Sequence, residues 1–291
     1  MIKDCVILLG GNGTRLYPIT KAYNKHLVEL NGKPFFYYSL SMPILLGIKN
    51  IYLVVNAKDK KIYQSFFGSG EEIGINIYYL IQPKCEGIPS AINLAKNKIK
   101  NKFLVILGDN FLYGASLINQ LKDSINNTIN AGIFLKYTDF PERYGIAKIV
   151  NNKIVQIKEK PKKYISNNAI IGFYIFDIKF FEYFKLLHKS QRGETEIIDI
   201  IYHYLKNKEL DHYIISKGSY WNDTGTHREI LNTTNFIYQI ESSGLNNLGY
   251  IEYFSFLKGN ISFKKFKTLV NLMPDSEYKF KNINFLNNIS Y

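Results

Sequence analysis

The chain predicts an α/β fold with a mainly parallel central sheet flanked by helices on both faces. Apolar runs of strand length alternate with helix-like stretches through the first half of its 291 residues. The first of these runs empties into a glycine-rich turn, which is how α/β proteins bring backbone N–H groups up to phosphate. Hydrophobic residues make up 46% of the chain, enough for a sizeable core and too many for wholesale disorder.

The strand-like runs are residues 5–9, 51–55, 75–81, 103–107 and 132–137. Helix-like stretches fall between them at 34–46, 58–67, 90–99 and 117–125. This alternation predicts right-handed βαβ units. Pro34 suits the first turn of its helix, and Pro43 is placed to bend or end it. From about residue 145 the pattern changes. Residues 146–150 and 153–157 flank Asn151-Asn152, a two-residue hairpin turn. A strand over 169–177 and helices over 178–187 and 194–206 follow, so the second half reads as an inserted antiparallel part upon the same core. Beyond residue 226 the pattern is helical, and the Asn-rich residues 277–291 are expected to be loosely ordered. There is no internal repeat and no Pro- or Gly-rich linker between the halves.

Composition excludes several classes. No apolar segment reaches membrane-spanning length. The chain enters its first strand directly, which predicts no signal peptide. Its two cysteines, Cys5 in a buried-strand pattern and Cys85 in a loop, read as reduced thiols of a cytoplasmic protein without a metal cluster. The net charge of +13 raises the question of nucleic acid. Lysines, however, occur singly or in pairs, and no long basic run with interleaved aromatics appears; no nucleic-acid partner is expected.

The most telling motif is Gly10-Gly11-Asn12-Gly13-Thr14-Arg15-Leu16-Tyr17-Pro18, with Lys25 ten residues beyond the arginine. Glycines let the backbone approach a ligand without a Cβ in the way, and Arg15 and Lys25 add positive charge. A Walker A loop is excluded because no Gly-Lys-Ser/Thr follows Gly13, and a dinucleotide fingerprint because Leu16 stands where its third glycine belongs. The turn therefore points to a polyphosphate. Leu107-Gly108-Asp109-Asn110 puts a carboxylate at the C-terminal end of a buried strand, where open α/β sheets bind ligands. Asp223 stands in Trp221-Asn222-Asp223-Thr224-Gly225-Thr226. The two aspartates can share a hard cation, since magnesium takes a few carboxylates plus substrate phosphates. Taken singly, each is equally a helix or turn cap, Asp223 above all.

Further strings are weak alone and strong in their order: Gln82-Pro83 with Gly87, Glu142-Arg143-Tyr144-Gly145, Glu159-Lys160-Pro161 and Arg192-Gly193-Glu194. With the glycine loop and the two aspartate motifs they stand as in the sugar nucleotidyltransferases. The chain resembles that family over about residues 1–240, most closely its short glucose-1-phosphate thymidylyltransferases. The resemblance implies a Rossmann-like nucleotidyltransferase fold and the reaction sugar 1-phosphate plus nucleoside triphosphate to nucleotide sugar plus pyrophosphate. It implies a core over 1–240, with a nucleotide-binding part over about 1–140 and a sugar-phosphate-binding part over about 141–225, and a helical extension over 241–291. The substrates implied are dTTP and glucose 1-phosphate, with Mg²⁺ as cofactor.

Both substrates are anions. One pair of unit charges 4 Å apart is worth about 4 kcal/mol at an effective dielectric of roughly 20, so the site must neutralise several such pairs. On that basis the resemblance implies that Gly10, Gly11, Gly13 and Thr14 hold the triphosphate and that Arg15 neutralises it and the departing pyrophosphate. Lys25 stabilises charge at the α-phosphate, and Asp109 and Asp223 bind Mg²⁺. Gln82 and Gly87 face the base, with Leu8 packed nearby. Tyr144, Gly145, Glu159 and Gly172 belong to the sugar pocket, and Lys160 and Arg192 hold the sugar phosphate. The Gln82 amide both donates and accepts, so it suits thymine or uracil and, flipped, cytosine. UTP, CTP, other sugar phosphates and a catalytically silent nucleotide-binding relative remain the alternatives.

Three departures from the family pattern stand out. His26 takes the place of a usual Gln after Lys25, either as a tolerated polar swap or as a change of preference; it also offers a titration near neutral pH beside the phosphates. Ala115, Lys217 and Leu257 stand where the second, feedback nucleotide site commonly carries His, Arg and Arg, which predicts weak feedback. A dimer or tetramer is expected by resemblance, with Tyr250, Tyr253, Phe254 and Phe256 buried either against a partner or on their own core.

Overall fold

A computed structural model describes residues 2–11 and 13–289. Asn12 of the glycine loop, and Ser290 and Tyr291 of the expected loose tail, lie outside the described residues. The architecture is the expected α/β fold. In chain order the first half runs β1 (Asp4–Leu8), β2 (Glu29–Leu30), β3 (Lys33–Pro34), α1 (Phe36–Leu45), β4 (Asn50–Asn56), α2 (Lys60–Phe67), β5 (Asn76–Gln82), α3 (Ile88–Asn93), β6 (Phe103–Leu107), β7 (Phe111–Tyr113), α4 (Leu117–Asn127) and β8 (Ala131–Tyr137). The second half runs β9 (Gly145–Val150), β10 (Lys153–Glu159), β11 (Asn168–Phe176), α5 (Phe180–Phe184), α6 (Ile197–Lys206), β12 (Leu210–Ile214), β13 (Tyr220–Asn222), α7 (His227–Ser242), α8 (Ile251–Leu257), α9 (Phe263–Leu272) and α10 (Glu277–Ile289).

The main sheet is ordered β10-β9-β11-β6-β1-β4-β5, with β8 also on β11 and β12 on β8. β6, β1, β4 and β5 are parallel. The buried Val, Ile and Leu of β1, β4 and β6 are what a strand covered on both faces requires, whereas β5, at the sheet edge, is largely unburied. β11 runs antiparallel to β6 and grafts the inserted half onto the same sheet. Register fixes the ligand edge. Leu8 pairs with both Val54 and Leu107, and Asn56 with Gln82, so the strand ends that precede Gly10, Asp109 and the loop after Gln82 lie along one side. One helical layer, including α1, α4 and α8, buries Phe36, Leu40, Leu117 and Phe254 on one face. α3, α5 and α6 bury Ile92, Phe180 and Ile200 on the other.

The Asn151-Asn152 hairpin is present, both residues with positive φ as a two-residue turn needs. Three sequence expectations are corrected. Pro34 is in β3 and not in a helix, because Asn31-Gly32, at φ 48° and 76°, makes its own hairpin ahead of α1. Residues 94–98 are turns, so α3 is shorter than the expected helix over 90–99. Residues 277–289 form α10 and do not fray: Phe285 and Leu286 bury in a satellite core with Tyr250 and Phe266. Of the C-terminal aromatics, Tyr250 and Phe254 pack into their own chain, and Tyr253 and Phe256 lie half-buried against the same cores.

Candidate active site

The parallel edge opens into two adjoining cavities. The first, about 210 Å³, is lined by Leu8, Gly10, Gly11, Lys25, His26, Gln82, Cys85, Gly87, Asp109, Glu194 and neighbouring apolar residues. The second, about 440 Å³, is lined by Arg15, Asp109, Arg143, Tyr144, Lys160, Gly172, Trp221, Asp223 and others. They share Ile88, Leu107 and Asp109. Most residues singled out in the sequence thus meet around one carboxylate.

Close contacts account for Gly10 and Gly87 at the first cavity. A Cβ on Gly10 would stand 2.5 Å from Gln82 Oε1. Gly87, at φ 101°, bridges to Thr195, whose carbonyl oxygen would lie 2.0 Å from a Cβ there. Gly13 and Thr14 do not line either cavity; Gly13 instead turns the chain back, its carbonyl accepting from Thr20 Oγ1 at 3.0 Å.

A short second sheet delivers Asp223 to Asp109. β13 pairs antiparallel with β7, matching Asn222 to Phe111. Two hydrogen bonds then lock the segments. Thr224 Oγ1 donates to the Asp109 carbonyl at 2.8 Å, and Trp221 Nε1 donates to Asn110 Oδ1 at 2.8 Å. Asn110 Oδ1 also accepts from Gly172 N at 3.0 Å, while its Nδ2 donates to Asp109 Oδ1 at 3.0 Å. Asn110 therefore ties β6, β11 and β13 together; a Cβ on Gly172 would collide with its amide at 2.5 Å. Asp223 is not a helix cap: α7 is capped by Thr226, whose Oγ1 accepts from Glu229 N.

The charges are arranged unevenly. Lys25 Nζ is ion-paired with Asp109 Oδ2. Burial pushes the Asp109 carboxyl up, but the Lys25 ammonium and the bonds from Lys25 and Asn110 outweigh it and hold it below the usual carboxylate range. Asp223 goes the other way. Burial raises its pKa, the carboxylates of Glu229 and Asp109 add to that, and Arg143 and Arg15 only partly offset it. Arg143 pairs with Glu229 and lies 3.7 Å from Asp223 Oδ1, an atom buried without a hydrogen-bond partner. Arg15 lies against Gly225, its guanidinium within 2.9 Å of where a Cβ would be.

On the sugar side the Tyr144 and Trp221 rings meet at 4.9 Å. Lys160 follows β10 at φ 40°, a sparsely populated conformation for a residue other than glycine. Gly145 and Glu159 pair in register behind Lys160 and do not line the cavity. Burial pushes the Glu159 carboxyl up, against the pull of Lys160. Arg192 is exposed, paired with Glu196 at 2.7 Å, and outside both cavity walls. Asn110, Arg143, Trp221 and Thr224 lay inside the quoted motifs but had no site role assigned; Glu229 had no signal at all.

His26 corrects a further expectation. It is 1% exposed, and burial first and the Lys25 charge second push its pKa down to about 3, so it does not titrate near neutral pH. Ala115 and Leu257 line a separate cavity of about 290 Å³ beside α1 and α8, and none of its lining residues carries a charge. Lys217 is exposed and not part of it.

Residues 4–240 match the Nucleotidyl transferase family, and the chain belongs to it. It is a nucleotidyltransferase enzyme. It is 34% identical over 275 residues to a glucose-1-phosphate thymidylyltransferase of Neisseria meningitidis, covering 94% of this chain and 96% of that one. A glucose-1-phosphate thymidylyltransferase of Xanthomonas campestris is 37% identical over 238 residues, 81% of each chain. Among solved structures, a Bacillus anthracis protein provisionally assigned as a glucose-1-phosphate thymidylyltransferase, bound to sucrose, superposes with a TM-score of 0.74 at 37% identity. That match covers 80% of this chain and 94% of the other. A UDP-glucose pyrophosphorylase with UDP-glucose shares the fold at a TM-score of 0.73 and 22% identity.

Proposed function

We propose that this enzyme transfers a thymidylyl group from dTTP to glucose 1-phosphate, giving dTDP-glucose and pyrophosphate. The observation that carries the reading is the meeting of Asp109 and Asp223, from segments more than a hundred residues apart, on one cavity beneath Arg15 and beside Lys25. A phosphate oxygen of the sugar phosphate attacks the α-phosphorus and forms the new P–O bond. The bond to the β-phosphate oxygen breaks, and pyrophosphate leaves with its electron pair. No covalent enzyme intermediate is needed; positioning and charge neutralisation supply the rate.

In this reading the part over 1–140 holds the nucleotide, the part over 141–225 holds the sugar phosphate, and 241–291 is a helical extension of the 1–240 core. Gly10 and Gly11 cradle the triphosphate, and Arg15 takes the charge of the departing pyrophosphate. Lys25 moves from Asp109 to the α-phosphate, and Lys160 grips the sugar phosphate against the Tyr144–Trp221 wall. Gln82 and Gly87 meet the base, and the Gln82 amide keeps UTP as a second nucleotide. The donors fit a hard cation: two carboxylates, one with an orphaned buried oxygen, and space for substrate phosphates. Mg²⁺ held by Asp109 and Asp223 would neutralise the reacting phosphates. A panel of triphosphates and sugar phosphates, read by pyrophosphate release and product mass, tests the reading. The panel should give product with dTTP and glucose 1-phosphate, lost on adding EDTA and in Asp109→Asn; no turnover with any pair overturns it.

A further inference from the structure

Arg143 faces two buried carboxylates and is bonded to only one of them. Its Nη2 pairs with Glu229 Oε1 and lies 3.7 Å from Asp223 Oδ1, too far for a hydrogen bond. One cation between two carboxylates leaves both under-neutralised: Asp223 Oδ1 and Glu229 Oε2 are each buried without a hydrogen-bond partner. The frame decides which carboxylate holds the arginine. Glu229 is the third residue of α7, and its backbone is pinned there. Its N–H donates to Thr226 Oγ1 at 3.3 Å, and its carbonyl accepts from Asn222 Nδ2 at 3.2 Å. Asn222 Nδ2 also donates to Thr233 Oγ1 at 3.0 Å, which fastens β13 to the helix. Arg143, in the turn before β9, is the looser partner; its side chain is 35% exposed against 14% for Glu229.

Asp223 and Arg143 line the second cavity, and Glu229 does not. The arginine thus bonds the carboxylate outside the cavity wall and leaves unbonded the one within it. Without Glu229, nothing in this geometry opposes an Arg143–Asp223 pair, since a shift of about 1 Å brings the guanidinium to bonding distance. Asp223 would then already hold a cation, and the positive charge of Arg143 would oppose a divalent ion there. We infer that Glu229 is a positioning residue that holds Arg143 off Asp223 and so keeps this carboxylate open to the divalent cation. The step rests on Asp223 as a ligand of Mg²⁺ in the function proposed above.

Calorimetric titration of dTTP into the full chain, once with Mg²⁺ and once with EDTA, gives the factor by which the cation strengthens binding, a readout independent of turnover. In Glu229→Gln, with its fold checked by circular dichroism, that factor is expected to fall about tenfold. Arg143→Met added to Glu229→Gln should bring it back to within about threefold of the unaltered protein, whereas Arg143→Met alone should change it by less than about threefold. An unchanged factor in Glu229→Gln overturns the inference. So does an equal effect of Arg143→Met with and without Glu229, which is what two charges acting independently would give. A fall of about tenfold in Arg143→Met alone overturns it as well, because the arginine would then support the cation instead of opposing it. If Mg²⁺ does not strengthen dTTP binding even in the unaltered protein, the metal assignment fails and the inference with it, so the two failures are told apart.

Discussion

Asp223 is where the site conflicts most with the stability of the empty fold. Its raised pKa means the folded state binds a proton there more tightly than the unfolded state does. Stability from this group is therefore fully present below the unfolded pKa and is lost as pH rises through the raised folded value. At neutral pH the ionised form is a burden, so Asp223→Asn should raise the melting temperature of the metal-free protein, and that gain should vanish on acidification. Added Mg²⁺ should stabilise the unaltered protein and not the variant, as thermal scans with and without the cation will read. Asn110 acts in the opposite sense. Its Oδ1 satisfies two donors, Gly172 N and Trp221 Nε1, and Asn110→Ala strands both. A loss of at least about 2 kcal/mol in urea denaturation is expected. The sequence displayed both residues, but only the aspartate's charge suggested a role. That Asn110 is a three-way tie depends on where β11 and β13 pass, which local pattern does not contain.

At the scale of elements, the parallel strands were legible because each is a continuous apolar run bounded by turn residues. The Asn151-Asn152 hairpin was legible because the turn chemistry is local. The three-residue strands β7 and β13 were not: their stability comes from pairing with each other across more than a hundred residues. β12 is an edge strand of mixed polarity, Leu210–Ile214, and shows no clean alternation. The Asn31-Gly32 hairpin had the right signal, overridden by the attraction of Pro34 as a helix starter. Elements also shape the first cavity through Gly87, which lets the start of α3 lie against the Thr195 backbone. Gly87→Ala combines a left-handed φ with a collision at 2.0 Å against a carbonyl that cannot move alone. It should lose dTTP binding by calorimetry while circular dichroism still reports the sheet.

Across the whole molecule, one buried ion pair ties the hairpin that follows the Lys25 segment to the C-terminal helices. Lys33 Nζ lies 3.1 Å from Glu241 Oε1 at the end of α7 and 4.3 Å from the Tyr250 ring centroid. Glu241 also accepts from Asn31 and the Leu248 backbone. Glu241→Leu strands a buried ammonium and should cost about 3–5 kcal/mol in urea denaturation. The charge-free cavity beside α1 and α8 offers no cation to a pyrophosphate group. Inhibition by dTDP-glucose should accordingly be purely competitive with dTTP; a non-competitive component in initial-rate kinetics would show a working second site. Everything above turns on the Asp109–Asp223 cavity being a centre for nucleotidyl transfer. The most direct measurement is pyrophosphate release from dTTP and glucose 1-phosphate with Mg²⁺, comparing the unaltered enzyme with Asp223→Asn. The account predicts turnover by the first, with a product of the mass of dTDP-glucose, and a fall of at least about a hundredfold in the second; equal rates in the two would contradict it.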